Sequence, residues 1–204
     1  MSFDPNWIVA TASSISAVGV YVIYKQLKAD HERSRREKAV ELIQTWAIQL
    51  NKKASLARKL VENLNQEQVR AIYDQEQINL DKKHLEMTKG CLTENFYLNR
   101  HGVSLGGDES FTLQASDSSE IRWLIVSYLN LLESILVAWH NGIADEEIIE
   151  NQFQYLVVPE KGQLILEEFR NAAGGTNVYP SISAFALKIQ QKKNPSIDGK
   201  SKVA

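Results

Sequence analysis

The stretch that decides the architecture is Asn6–Lys28, NWIVATASSISAVGVYVIYKQLK. From Asn6 through Tyr24 it carries no charged residue. A helix needs about 20 residues to cross the hydrocarbon core of a bilayer, at about 1.5 Å rise each. The ends of the run suit an interface. Trp7 stands at one end and Tyr21 and Tyr24 at the other, where amphipathic rings prefer the headgroups. Lys25 and Lys28 follow, with stems long enough to snorkel. A secretory signal peptide fits worse, because its positive charge should precede the apolar run. Thr11, Ser13, Ser14, Ser16 and Gly19 moderate the hydrophobicity and keep the core helix of a soluble domain as the alternative. The sequence thus predicts residues 1–28 to be an N-terminal segment with a transmembrane helix, in contact with the lipid bilayer.

Orientation follows from charge. Lys25, Lys28, Arg33, Arg35, Arg36 and Lys38 all lie on the C-terminal side of the run. The positive-inside bias therefore places the N-terminus outside and the C-terminus in the cytoplasm, as a single-pass protein of the inner membrane. The single cysteine, Cys91, forms no intrachain disulfide and fits a reducing compartment. With 204 residues and a formal net charge of −2, the chain gives no global electrostatic argument for nucleic acid, and no specific nucleic-acid signal stands out.

No Gly or Pro occurs between Gly19 and Gly90, which permits long helices. Ala39, Ile43, Trp46, Leu50, Ala54, Ala57 and Val61 recur at steps of three or four. They predict an amphipathic helix continuous with the membrane span and stopping near Asn63 and Asn65. Asn65 and Gln68 have the spacing of a capping box for a short helix. A further helix is expected from about Asp81, fraying at Gly90. Residues 95–117 are least regular, and read as a long loop or a small hairpin at Gly106–Asp108. Residues 116–142 form the clearest helix, apolar around nearly its whole circumference, capped by Asp117 or Ser118 and ended by Gly142. Such a helix is the centre of a bundle or a second span. Glu133 near its middle favours the bundle, since a charge at the bilayer centre costs about 2.5–3.5 kcal/mol. Asp145 caps the next helix, which Pro159 ends. A segment stopped by Gly174 and Gly175 follows, and Pro180 opens the last helix. The fold class expected is all-α: one transmembrane helix running into a cytoplasmic bundle of about five helices over residues 29–193, with residues 194–204 a disordered tail.

Three stretches carry a resemblance: the anchor followed by RREKAVELIQTWA, then LNQEQVRAIY, then YLNLLESILVAWHNGIADEEIIENQF. With them the chain resembles an uncharacterised family of membrane-anchored helical proteins of bacteria and prophages, a domain of unknown function. The resemblance implies a single-pass anchor with a cytoplasmic helical domain, and it brings no catalytic residues. In architecture alone the chain is similar to membrane-anchored proteins with HEPN-like domains that accompany some CRISPR and antiphage systems, some of which form oligomeric pores. HEPN ribonucleases use an arginine followed four to six residues later by a histidine, and no arginine stands at that distance ahead of His31, His84, His101 or His140.

No constellation of residues reads as catalytic. His84–Glu86 matches the His-x-Glu of zinc deaminases, but the paired cysteines that complete such a site are absent, since Cys91 is alone. Cys91 with His84 and His101 shows no nucleophile–base arrangement. GVSLGGDES lacks the Lys-Ser/Thr ending of a P-loop. Glu146, Glu147 and Glu150 begin a helix, where negative charge complements the dipole. No catalytic, cofactor-binding or metal residue is therefore assigned, and no cofactor is expected. Two functional expectations result. One is a non-enzymatic interaction or scaffold protein at the membrane, with an unknown protein partner, in phage exclusion or defence. The other is an oligomeric pore or effector with a catalytically inactive HEPN-like domain. Ala10, Ser13, Ser14 and Ala17 share one face of the span, and this small-residue face predicts self-association into a homo-oligomer.

Overall fold

The computed structural model describes residues 5–92 and 110–194, with side chains from residue 19 onward. The side chains of Trp7, Ala10, Ser13, Ser14 and Ala17, the turn expected at Gly106–Asp108, His101 and the tail from 195 lie outside the described residues. The described chain is mostly helical, with eight helices, and two small antiparallel ladders add to the all-α expectation.

Helix α1 runs unbroken from Pro5 to Gln49. The predicted continuity between the apolar stretch and the amphipathic helix is therefore present. The amphipathic helix itself is shorter than its periodicity implied. It stops before Leu50, and Asn51 restarts the chain as α2, Lys52–Val61. The Asn51 side chain accepts a hydrogen bond from the Lys53 amide, satisfying a donor that a new helix leaves open. The apolar spacing passes through this break because both helices bury one face against the same core. Helix α3, Gln66–Tyr73, begins with the predicted capping box: Asn65 accepts from the Gln68 amide at 2.9 Å, and Gln68 accepts from the Asn65 amide at 3.2 Å.

The segment from Asp81 departs from the single helix expected. Strand β1, Ile78–Asp81, pairs antiparallel with β2, Ser110–Leu113, with Leu80 opposite Phe111. A 3-10 turn then leads into α4, Leu85–Cys91. Gly90 does not fray this helix. A Cβ there would lie 2.9 Å from Leu56 Cδ1, so the glycine permits close approach of α4 to α2.

Helix α5, Ala115–His140, is the centre of the domain and packs against α1, α2, α3, the following helix and the last one. Its cap is Gln114, with Asp117 completing a capping box as the third helical residue. Gly142 takes a left-handed conformation just past its end, φ 66°. Leu132, Trp46 and Trp139 are buried, as the apolar faces predicted. Trp123 departs from that pattern at 64% exposure. Among the described residues, α5 is the one helix long and apolar enough to cross a membrane, and half of its most apolar window is buried inside the protein.

Asp145 caps α6, Glu146–Phe153, by accepting from the Ile148 amide. The helix ends well before Pro159, because Val157–Val158 leaves it to form β3 and pair with β4, Gln163–Leu164. The segment before Gly174 is thus a ladder plus a short helix, α7, Glu167–Ala172. Helix α8, Pro180–Lys193, closes the core with proline in its first turn.

Candidate membrane-facing surface and a buried polar cluster

Among the residues of α1 with described side chains, the last turns dock on the domain, through buried Ala39 and Trp46 with Leu42 and Ile43 beside them. Every residue from Gly19 to Ser34 is exposed. Val20, Tyr21, Val22 and Ile23 are successive residues about 100° apart around the axis, so they point to all sides. Each is about half exposed or more, Val20 at 68%. Tyr24 and Leu27 extend the same surface. A helix that is apolar all round is buried in something, and no part of the described domain covers this one. Tyr21 and Tyr24 end the apolar run, and Lys25 places its ammonium 5.3 Å from the Tyr21 ring. Lys28 is exposed one turn further on.

The basic residues beyond Lys28 are engaged within the chain. Arg33 pairs with Glu37 at 2.8 Å, Lys38 with Glu41 at 2.9 Å, and Arg36 with Asp145 at 3.6 Å. The Asp145 amide also donates to the Arg35 carbonyl at 3.0 Å, and Arg35 Nη2 reaches the Ala144 carbonyl at 3.5 Å. The loop before α6 therefore grips α1 at Arg35 and Arg36. Exposed pairs of this kind are screened by solvent and contribute little to stability. Their structural consequence is that Lys25 and Lys28 remain as the cations beside the apolar run.

The remaining candidates separate in space. His84 is buried, whereas Glu86 is exposed and paired with Lys89. Among the described residues no three potential metal ligands come together. Cys91 is fully buried, and that burial pushes its thiol up to about 12. Of the helix-opening glutamates, Glu146 pairs with Lys188 at 2.6 Å. Glu150 is buried, accepts from Trp139 Nε1 at 3.3 Å and pairs with Lys188 and Lys192. Burial pushes the Glu150 carboxyl up, and the two lysines more than offset it, leaving it below the ordinary range.

One cluster was missed in the sequence. Arg58 Nη1 and Glu62 Oε2 are 2.5 Å apart, one turn apart on α2, with side chains only 13% and 4% exposed. The same spacing on a solvated face is ordinary, so sequence alone gave no reason to bury it. The Arg58 guanidinium stands 6.0 Å from the Tyr128 ring of α5, and Trp46 meets that ring edge to face at 5.2 Å. Glu62 Oε1 and the Tyr128 hydroxyl are buried without a hydrogen-bond partner. Burial raises the Glu62 carboxyl, opposed by Arg58 and by the nearby Leu166 amide. Beside Glu62 opens a cavity of about 70 Å³ between the end of α2, the start of α3 and the β4–α7 turn. In that turn Ile165 and Leu166 both have positive φ, 55° and 56°, a conformation that costs strain in residues with a Cβ. Arg170 holds them, donating from Nε to the Ile165 carbonyl and from Nη2 to the Leu164 carbonyl, both at 2.9 Å.

No protein-family model, curated protein or solved structure matches the chain.

Proposed function

We propose that this chain is a membrane-anchored, non-enzymatic adaptor: a single-pass N-terminal helix that holds a helical domain at the cytoplasmic face of the inner membrane, where it recruits a protein partner. One observation carries the reading. The surface of α1 from Val20 to Tyr24 is apolar on every side and uncovered by the domain, and charged residues begin at Lys25. A protein partner covers one face of a helix; lipid covers all of them. Leaving such a surface in water forgoes about 25 cal/mol for each Å² of apolar area. The residues from Lys25 to Ser34 then form about 15 Å of exposed helical spacer, leading to the grip at Arg35, Arg36 and Asp145.

Helix α5 meets the length and composition of a span, but its Glu133 accepts backbone hydrogen bonds from α8, and half of its apolar window is already covered. These contacts support its place in the domain. The lysines following Tyr24 support an outside N-terminus. The bacterial and prophage family that the chain resembles suggests phage exclusion or defence as the setting.

The test compares the full chain with a variant lacking residues 1–28 by carbonate extraction of bacterial membranes. The full chain should remain in the membrane pellet and the variant should be released. A variant that stays in the pellet overturns the reading. A reporter fused to the C-terminus should be active in the cytoplasm; periplasmic activity would overturn the orientation.

A further inference from the structure

We propose that Arg122 and Trp123 form the docking surface for a partner protein segment that presents a carboxylate beside an apolar side chain. The proposal rests on the adaptor reading above and names the surface and the chemistry of its partner. Among the described arginines, Arg33, Arg36, Arg58 and Arg70 each pair with a carboxylate. Arg35 and Arg170 donate to backbone carbonyls. Arg122, in the second turn of α5, does neither among the described residues. Its guanidinium stands 4.9 Å from the centre of the Tyr73 ring, and Tyr73 meets Phe169 edge to face at 5.5 Å. Aromatic packing, not an anion, therefore holds the head group in place. Its Nε is closed off without an acceptor, but its two terminal nitrogens are not closed off. Those two nitrogens are left for an acceptor from outside. A cation held partly out of water without a counter-ion is costly, and an arriving carboxylate relieves that cost.

The surroundings define the partner further. Trp123, the next residue, is 64% exposed although the rest of α5 buries its large apolar side chains. Tryptophan, tyrosine and arginine are the residue types that dominate binding energy at protein interfaces, and here they stand together. Burial raises the Tyr179 phenol; Tyr73 and Glu133 raise it further and Arg122 opposes them, so all three groups lie around that one hydroxyl. Glu133 is already committed to the Ser181 and Ile182 amides. It lies about three helical turns along α5 from Arg122, and its charge limits the anion that the surface accepts. One guanidinium beside that carboxylate suits a single negative charge. A phosphate monoester carries about −1.5 to −2 and calls for several cations or a cradle of amides. The planar fork of arginine matches a carboxylate, and the exposed indole supplies apolar contact next to it.

The test titrates the full chain in detergent micelles into a fluorescein-labelled peptide carrying one aspartate between leucines, and reads anisotropy. Saturable binding is expected. The asparagine counterpart should bind at least about tenfold more weakly, because it loses the charge-assisted hydrogen bonds. Arg122→Met and Trp123→Ala should each weaken the aspartate peptide about tenfold. Arg122→Lys keeps the charge but loses the fork, and should recover only part of the affinity. If Arg122→Met fails to fold, Trp123→Ala decides, since that side chain is exposed. Absence of saturable binding, equal binding of the asparagine peptide, or an unaffected Trp123→Ala variant overturns the proposal. Tighter binding of the phosphoserine counterpart also overturns it, by marking a phosphate site. The anchor plays no part in this measurement. A chain that stays in the membrane pellet but binds no peptide loses the docking surface alone. A chain released from the pellet that still binds the peptide loses the anchor alone.

Discussion

Glu133, in the C-terminal third of α5, accepts the Ser181 amide at 2.9 Å and the Ile182 amide at the same distance with its second oxygen. The carboxylate of one helix thereby caps the first turn of another, where Pro180 already removes one orphan donor. Hydrogen bonds to charged acceptors contribute about 1.5–3 kcal/mol. Glu133→Ala should cost about 2 kcal/mol in chemical denaturation, and Glu133→Gln should recover part of it through its single carbonyl oxygen. An alanine variant as stable as the parent would show that α8 starts without this cap.

The core prediction is sharper. Leu132 is fully buried at the centre of α5, and Trp46 packs edge to face with both Tyr128 and Phe153, at 5.2 and 5.3 Å. Leu132→Ala removes three carbons and leaves a cavity, with an expected loss of about 2–5 kcal/mol. Trp46→Ala should cost at least as much and also loosen α1 from the domain, seen as faster proteolysis near Leu50. Unchanged denaturation midpoints would contradict the central position of α5.

Acid stability should depend on Glu150. Burial pushes its carboxyl up, but Lys188 and Lys192 hold it below the ordinary 4.5 in the fold. The fold therefore gains stability from Glu150 above pH 4.5, and loses it as pH falls through the lower folded value. Replacing Lys188 and Lys192 by methionine should flatten that acid-side loss. Glu62 has the opposite sign. Its folded carboxyl is raised, so its contribution is full below the ordinary value and declines as pH rises through the folded one. Urea midpoints across pH 3–7 measure both slopes, and an acid limb unchanged by the lysine variants would count against the Glu150 assignment.

Cys91 should behave as a core side chain. Burial raises its thiol to about 12, and no solvent reaches it. Ellman's reagent at pH 8 should leave the native protein unmodified and react with one thiol after denaturation. Rapid modification of the native protein would place the thiol at the surface.

Local chemistry explains which parts of this fold were legible. Asn65–Gln68, Asp145 and Gly142 act through neighbours within a few residues, so sequence alone identified them. Buried Trp46, Leu132 and Trp139 followed from helical periodicity. The break at Asn51 escaped because α2 continues the apolar phase of α1 on the far side of one capping residue. The β1–β2 ladder joins Leu80 to Phe111, 31 positions apart, and nothing local in either strand names the other. The Arg58–Glu62 pair was illegible for the same reason: only the packing of α2 on Tyr128 separates it from an exposed pair at identical spacing.

Self-association of the anchor is the last expectation. Leucine or isoleucine would partition into lipid better than Ala10, Ser13, Ser14 and Ala17, so their presence on one helical face calls for another explanation. Small residues allow backbones to approach, and in a membrane such packing drives helix association. Closed symmetric assemblies are its common product, and α1, unbroken to Gln49, would carry the arrangement to the domain. Crosslinking in native membranes should therefore trap a homo-oligomer. Ser13→Leu with Ala17→Leu should reduce it by blocking close approach while leaving membrane insertion intact. Dye release from liposomes containing the protein separates a pore from a simple anchor, and a pore requires that the same double variant suppress the leak. A wild-type chain that is monomeric in several mild detergents and gives no crosslinks in membranes would refute the small-residue interface, and the pore would fall with it.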